Sequence, residues 1–206
     1  MSAAATAITI DPSHFFREGM ESCLFKAGFQ PLSHAHSLAE ALQALNGRVP
    51  ALAAIGPNFT EPEAFALCRE LLALWPDVQI LLYTGHANDP RVQADAFHSG
   101  IRAVLTREAG EAETRATIAA IQRGEALFAE AIRKSRPPSL TEREREVLKW
   151  MAEGKPDREI AHEMNVSYST ARTYAQRILE KLNVHERREA VWRGRRLGWL
   201  PPKQNR

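Results

Sequence analysis

Apolar and amphipathic stretches alternate along the first 123 residues in a repeating order. Residues 7–10 form a short apolar run fit for a buried strand. Residues 14–27 follow with Phe15, Phe16, Met20, Leu24 and Phe25 at helical spacings, and Gly28 stops the helix. The same alternation predicts strands at 30–35, 51–55, 78–83 and 103–106, and helices at 38–45, 63–75, 90–99 and 112–123. Ser37 caps the second helix and Asn46-Gly47 ends it, while Leu67, Leu71, Leu72 and Trp75 mark the inner face of the third. Five strand–helix units in this length predict an α/β domain, an open parallel sheet covered on both faces; the strand order is not readable from the pattern, and a flavodoxin-like (βα)5 order is the natural choice at this size. Function in such sheets gathers at the carboxyl ends of the strands, which here carry Asp11, Gly56-Pro57, Thr84 and Arg107.

The pattern changes after residue 124. Residues 125–135 read as a further helix, and Arg136-Pro-Pro-Ser139 as a linker, because two prolines cannot continue a helix. The remainder is all-α. Thr141 and Glu144 form a capping box before an apolar stripe of Val147, Leu148 and Met151, and Gly154 ends that helix. A short second helix spans 156–164 with Ile160, Ala161 and Met164 inward. Ser167 caps a third over 168–182, whose buried side is Ile178, Leu179 and Leu182. A last helix over 186–197 carries Val191, Trp192 and Leu197.

A short helix, a tight turn and a longer helix with polar residues at its start is the geometry of a helix-turn-helix, whose second helix enters the DNA major groove. Ser167, Ser169 and Thr170 at its entry suit phosphate oxygens; Arg172 and Gln176, one turn apart, have the reach for guanine and adenine edges. A helical bundle that binds protein through the same face fits the same periodicity.

Charge favours the first of these. The chain carries a net +2, but residues 137–206 hold 15 Lys/Arg against 10 Asp/Glu, and from Ser167 onward the count is 10 basic to 3 acidic. A basic end on an acidic body points to a polyanionic partner, double-stranded DNA. Cys23 and Cys68 lie in helical segments without metal spacing and read as free thiols. No apolar run nears the roughly 20 residues needed to span a bilayer, and no secretory signal begins the chain. A cytoplasmic protein with no membrane contact is expected.

The stretches "LTEREREVL", "REIA" and "ILEKLNV", with Ser167 and Thr170 between them, closely resemble the DNA-binding domain of the NarL/FixJ (LuxR-type) transcription regulators. By that resemblance Arg172, Thr173 and Gln176 fall where the family reads bases, and Ser169, Thr170, Arg177 and Lys181 where it grips the backbone. Ala171 and Tyr174 depart from the Val and His usual there, so operator preference does not carry over. At the other end, "DPSHFFREGM", "LLYTGH", "GIRAVLTREA" and "IQRGEALFAEAI" resemble response-regulator receiver domains. The implied organisation is a degenerate receiver over 1–124, a linker helix and Pro-rich linker over 125–139, and a four-helix helix-turn-helix domain over 140–206.

A working receiver of this kind needs a Mg²⁺-binding acidic pair, an aspartate nucleophile, a hydroxyl and a lysine. Here Pro12 takes the second acidic place, Gly56 stands at the acceptor position, Thr84 keeps the hydroxyl, Arg107 replaces the lysine and Val104 the aromatic switch residue. The resemblance therefore implies a regulator not controlled by aspartyl phosphorylation. Two roles for Asp11 remain open: an ion pair with Arg107, or a cap of the first helix near Ser13. His14 and His86 converging with Asp11 on a metal is a weaker reading, and His34 with His36 alone makes a poor site. An unknown small ligand or protein partner at the receiver-type domain is a further reading. No nucleophile–base pair or complete metal set is visible, so neither an enzyme nor a cofactor or metal is expected.

The expected whole is a DNA-binding transcriptional regulator acting as a homodimer, with Val191, Trp192 and Leu197 as dimer candidates or core residues. The rival is a ligand- or partner-sensing adaptor whose helix-turn-helix serves protein interaction.

Overall fold

A computed structural model describes residues 5–201, without the side chains of residues 32–34. The chain divides into two compact units, Met1–Ser135 and Arg136–Arg206.

In the first unit, β1 (Thr6–Ile10), β2 (Gln30–Ala35), β3 (Leu52–Ile55), β4 (Gln79–Thr84) and β5 (Ala103–Thr106) form a parallel sheet of order β2-β1-β3-β4-β5. This is the expected flavodoxin-like order. Each crossover runs through a helix: α1 (His14–Lys26), α2 (Leu38–Leu45), α3 (Glu61–Leu74) and α4 (Pro90–His98), with α5 (Glu111–Gln122) after the last strand. The central strands are buried along their length, as two-sided coverage requires: Leu52, Ala53, Ala54 and Ile55 have no exposed surface. Ile55 pairs with Ile10 on one side and Leu82 on the other, and Thr84 pairs with Thr106. That register brings Asp11, Gly56, Gly85 and Arg107, each just past a strand, to one edge of the sheet.

The first helix forms as its spacing predicts, though not all of its apolar residues are covered, and one expectation for this unit fails. Of the apolar residues of α1, Met20 and Leu24 are buried, but Phe15 and Phe25 are 86% and 72% exposed. The apolar stripe of the sequence is wider than the face the sheet can cover. The helix expected over 125–135 shrinks to α6 (Glu130–Arg133). Ahead of it the Leu127 N–H donates to the Arg102 carbonyl at 2.8 Å, and Phe128 packs edge-on against Phe97, ring centres 5.5 Å apart. Leu127 and Phe128 are thereby held against the Arg102 backbone and the Phe97 ring in a non-helical segment.

The second unit contains α7 (Glu142–Ala152), α8 (Asp157–Glu163), α9 (Tyr168–Lys181) and α10 (Arg187–Arg196). Val147, Leu148, Ile160, Ala171, Ile178, Leu182 and Ala190 form its core. Asn165, at φ 51°, makes the left-handed turn between α8 and α9, a conformation Asn tolerates better than most residues. Val191 is buried in this core and Leu197 packs partly against it, whereas Trp192 is 39% exposed.

Candidate functional site

Two places concentrate the chemistry. The first is the strand-end edge of the N-terminal unit.

Asp11 is fully buried there. Its Oδ1 accepts from the Ser13 N–H at 2.6 Å and from Asn58 Nδ2 at 2.8 Å; its Oδ2 accepts from the Asn58 N–H at 3.0 Å. Ser13 in turn is the N-cap of α1. The ion pair with Arg107 does not form: among the described residues the Asp11 carboxylate is held by amide donors, and Arg107 has no hydrogen-bonding or ionic partner. The capping alternative comes closer, since Asp11 orders the residue that caps the helix. A cap needs only local backbone geometry, whereas the pair needs a long exposed side chain to be immobilised.

Gly56 explains where Asp11 points. A Cβ placed on Gly56 would overlap the Asp11 carboxylate. The space a side chain at position 56 needs is already filled by the side chain of position 11.

Arg17, which sequence spacing does not single out, is 4% exposed and braces the same loop. Its Nη1 donates to the Asp11 carbonyl at 2.5 Å and the Pro12 carbonyl at 3.0 Å. Its Nη2 lies 3.1 Å from His36 Nε2, which must be the acceptor because a guanidinium has no lone pair to offer. The His36 proton therefore sits on Nδ1, facing Glu40 Oε2 at 2.5 Å.

Glu61, also missed, is a second buried carboxylate at this edge, 7% exposed at the start of α3. Its Oε1 accepts from the Thr84 hydroxyl at 3.1 Å and lies 2.7 Å from His86 Nδ1. Its "TEPE" setting signals only a helix start, so sequence alone could not distinguish this carboxylate from an ordinary first-turn acid. The convergence of His14 and His86 with Asp11 does not occur. His14 faces Glu18 at 3.1 Å, His86 faces Glu61, and among the described residues no three His, Cys, Asp or Glu side chains gather as a metal set. The side chain of His34 lies outside the described residues.

The second place is the start of α9. Ser167 caps it, its Oγ accepting from the Thr170 N–H at 3.1 Å and lying within 2.8 Å of both the Ser169 and Thr170 hydroxyls. Three hydroxyls and the free N–H groups of a helix start thus face solvent together, the arrangement that binds phosphate oxygens. Arg172, Thr173, Gln176 and Arg177 are exposed along the next two turns, while Ala171, Ala175 and Ile178 turn inward. Thr173 donates its hydroxyl to the Ser169 carbonyl at 2.9 Å, which leaves its methyl group as the outward feature. Gln176 Nε2 donates to Glu180 at 3.2 Å.

Part of the basic excess is inward or already engaged. Lys181 lies 2.7 Å from Glu144, itself locked to Thr141 by the capping box. Arg187 pairs with Asp157, and Arg193 is buried with a hydrogen bond to the Leu182 carbonyl. Arg196 is also buried. A linear charge count cannot distinguish these from surface cations.

Residues 138–193 match the model of the luxR family of bacterial regulatory proteins. The transcriptional regulatory protein DesR of Bacillus subtilis (strain 168) is 35% identical over 108 residues, 51% of this chain and 54% of DesR. The DNA-binding transcriptional activator DevR/DosR of Mycobacterium tuberculosis (strain ATCC 25618 / H37Rv) is 26% identical over 199 residues, 88% of this chain and 90% of that protein. Residues 138–193 form a LuxR-type DNA-binding domain, and over most of its length the chain is similar to NarL-type response regulators. It spans about half the length of DesR and about nine-tenths of DevR/DosR. A solved structure of RcsB from Salmonella enterica serovar Typhimurium, bound to a promoter in the presence of the phosphomimetic BeF3−, is 18% identical with a TM-score of 0.70. It covers 95% of this chain and 97% of RcsB. An RcsB–DNA complex gives 17% and 0.69 over 91% and 96%. At such identities the likeness is one of fold. The N-terminal unit thus has the fold of the RcsB receiver unit and the C-terminal unit that of a helix-turn-helix domain.

Proposed function

We infer that this regulator binds double-stranded DNA as a homodimer through α9, and that aspartyl phosphorylation does not set its activity. The observation that carries the DNA reading is α9 itself. Its phosphate-binding start and the exposed row of Arg172, Thr173 and Gln176 match the parts a groove-reading helix needs. Ser169, Thr170 and Arg177 fit backbone contacts; Lys181 joins them only by leaving Glu144. Trp192 is the exposed member of the proposed dimer set. DevR/DosR, described as a DNA-binding activator, and RcsB, solved as dimers on DNA, support the reading. It places the protein in the cytoplasm; no helix of the described residues is long and apolar enough to cross a membrane.

Asp11 and Gly56 support the second half. Position 56 has no nucleophile, and both Asp11 oxygens are taken by Ser13 and Asn58. The Thr84 hydroxyl, the group a phosphoryl oxygen would recruit, donates to Glu61 instead. An incoming phosphoryl group would meet the buried Asp11 carboxylate, which is held by neutral amide donors, an unfavourable field for a dianion.

The experiment has two arms with the full-length protein. Fluorescence anisotropy with genomic fragments across a salt series tests DNA binding, and salt-independent or absent binding favours the adaptor. Intact mass after acetyl phosphate and Mg²⁺ tests the receiver; a stoichiometric phosphoryl adduct would refute phosphorylation independence.

A further inference from the structure

We propose that a cleft between α1, the end of β4 and the start of α5 binds a small carboxylate with an aromatic or short aliphatic body. The cleft measures about 380 Å³, within the roughly 300–1,000 Å³ usual for small-molecule sites. Phe16, Met20 and Cys23 form its apolar wall, and Phe15 stands exposed at the mouth. The Cys23 thiol is pushed up from its ordinary value, first by burial and then by the charge of Glu111, so the wall stays uncharged.

The floor holds a donor met only by a weak acceptor. The hydroxyls of Tyr83 and Thr114 lie 2.7 Å apart and both residues are 3% exposed. They carry two hydrogens between them, and their mutual bond uses one. Among the described residues the other has only Met20 Sδ, 3.5 Å from the Tyr83 oxygen, and a thioether is a weak acceptor. Burial pushes the Tyr83 phenol up to about 12, so the donor persists at neutral pH. An acceptor oxygen entering the cleft satisfies it.

The rim supplies the opposite requirement. Arg107 lines the cleft and has no partner among the described residues, and its planar fork suits a carboxylate. Among the described residues the one acid lining the cleft, Glu111, is already held by Lys26 at 2.6 Å and faces Arg115 at 3.9 Å, so it does not cancel Arg107. Gly19 keeps the α1 wall open; a Cβ there would meet nothing within 4 Å. Cation at the mouth, apolar wall and buried donor at the floor together select an anion with an apolar body and an inner oxygen. Such a ligand is a chemical input to a unit that phosphorylation does not set, although the site does not depend on that reading.

The test titrates ¹⁵N-labelled full-length protein with 4-hydroxybenzoate, benzoate and 4-hydroxybenzamide up to ~10 mM, where a fragment of about ten atoms occupies a matching pocket. Saturable shifts confined to the Cys23, Tyr83, Arg107 and Thr114 region are expected, strongest for 4-hydroxybenzoate and about tenfold weaker for the neutral amide. Arg107→Gln should weaken the carboxylates about tenfold and leave the amide unchanged. Gly19→Phe should abolish all three while the remaining spectrum stays native. Absence of localised saturable shifts, or carboxylate affinity unaltered in Arg107→Gln, overturns the proposal. DNA anisotropy on the same sample reads α9 separately, so failure of the cleft and failure of the DNA reading are distinguishable.

Discussion

The Asp11 carboxylate and the missing side chain of Gly56 occupy one and the same volume. Restoring an aspartate at position 56 alone therefore does not rebuild an acceptor site. Gly56→Asp should destabilise the N-terminal unit by about 2 kcal/mol or more, from overpacking and the meeting of two buried carboxylates. The exchange Asp11→Gly with Gly56→Asp should recover part of that loss, because it returns the site to one carboxylate. Urea unfolding of the two variants checks the pair; equal losses in both would show that the two positions do not share space.

Arg172 is the exposed residue of α9 with most to lose on truncation. Arg172→Ala should weaken specific DNA binding by about 1–3 kcal/mol, with a smaller effect on random DNA. Anisotropy with a mapped site and a scrambled duplex separates the two. An unchanged ratio would move recognition off this helix.

Glu144 should make the C-terminal unit sensitive to acid. Burial opposes its ionisation, but Lys181 and the Thr141 N–H and hydroxyl outweigh it and hold the carboxyl below its ordinary value of 4.5. A group depressed in the folded state contributes stability above its unfolded value, and that contribution is lost as pH falls through the folded one. Unfolding followed by tryptophan fluorescence should show an acid limb beginning near pH 4.5 and continuing below it. Three of the four tryptophans, Trp150, Trp192 and Trp199, report on this unit. Glu144→Gln should flatten that limb and cost about 1 kcal/mol at neutral pH through the weakened capping box.

Arg193 holds the end of α9 to α10 through the Leu182 carbonyl. Arg193→Met keeps the apolar stem but leaves the carbonyl without that donor, at a cost of about 1–3 kcal/mol. The same urea series checks it, and a loss below the noise would make the contact incidental.

The elements of both units could be read from periodicity because each needs one buried face, and Ile8, Leu81, Val147 and Ile178 lie where that spacing puts them. The receiver and helix-turn-helix motifs placed Asp11, Gly56 and Arg172 at the right ends of their elements. What Asp11 binds was not readable, because its partners Ser13 and Asn58 lie 2 and 47 positions away and donate mainly through backbone or amide groups with no sequence signature. Arg17 and Glu61 were invisible for a related reason: a charged residue in a helix start or first turn looks exposed until the fold closes over it. The linker helix shortened where tertiary contacts, the Leu127 N–H on the Arg102 carbonyl and Phe128 on Phe97, hold residues 127–128 outside it.

Burial of Arg193 and Arg196, with Lys181 and Arg187 held by carboxylates, has a consequence for counterion release. Among the described residues after Ser167, Arg172, Arg177 and Arg188 remain as exposed, unpaired cations. Where those three alone meet phosphates, a two-fold dimer displaces about six condensed ions, and log K should fall with log salt at a slope of about −5. Had all ten basic residues of that segment met phosphates, the slope would be about −18. A protein with the shallower slope would hold its operator through changes of ionic strength that strip a more highly charged binder from DNA.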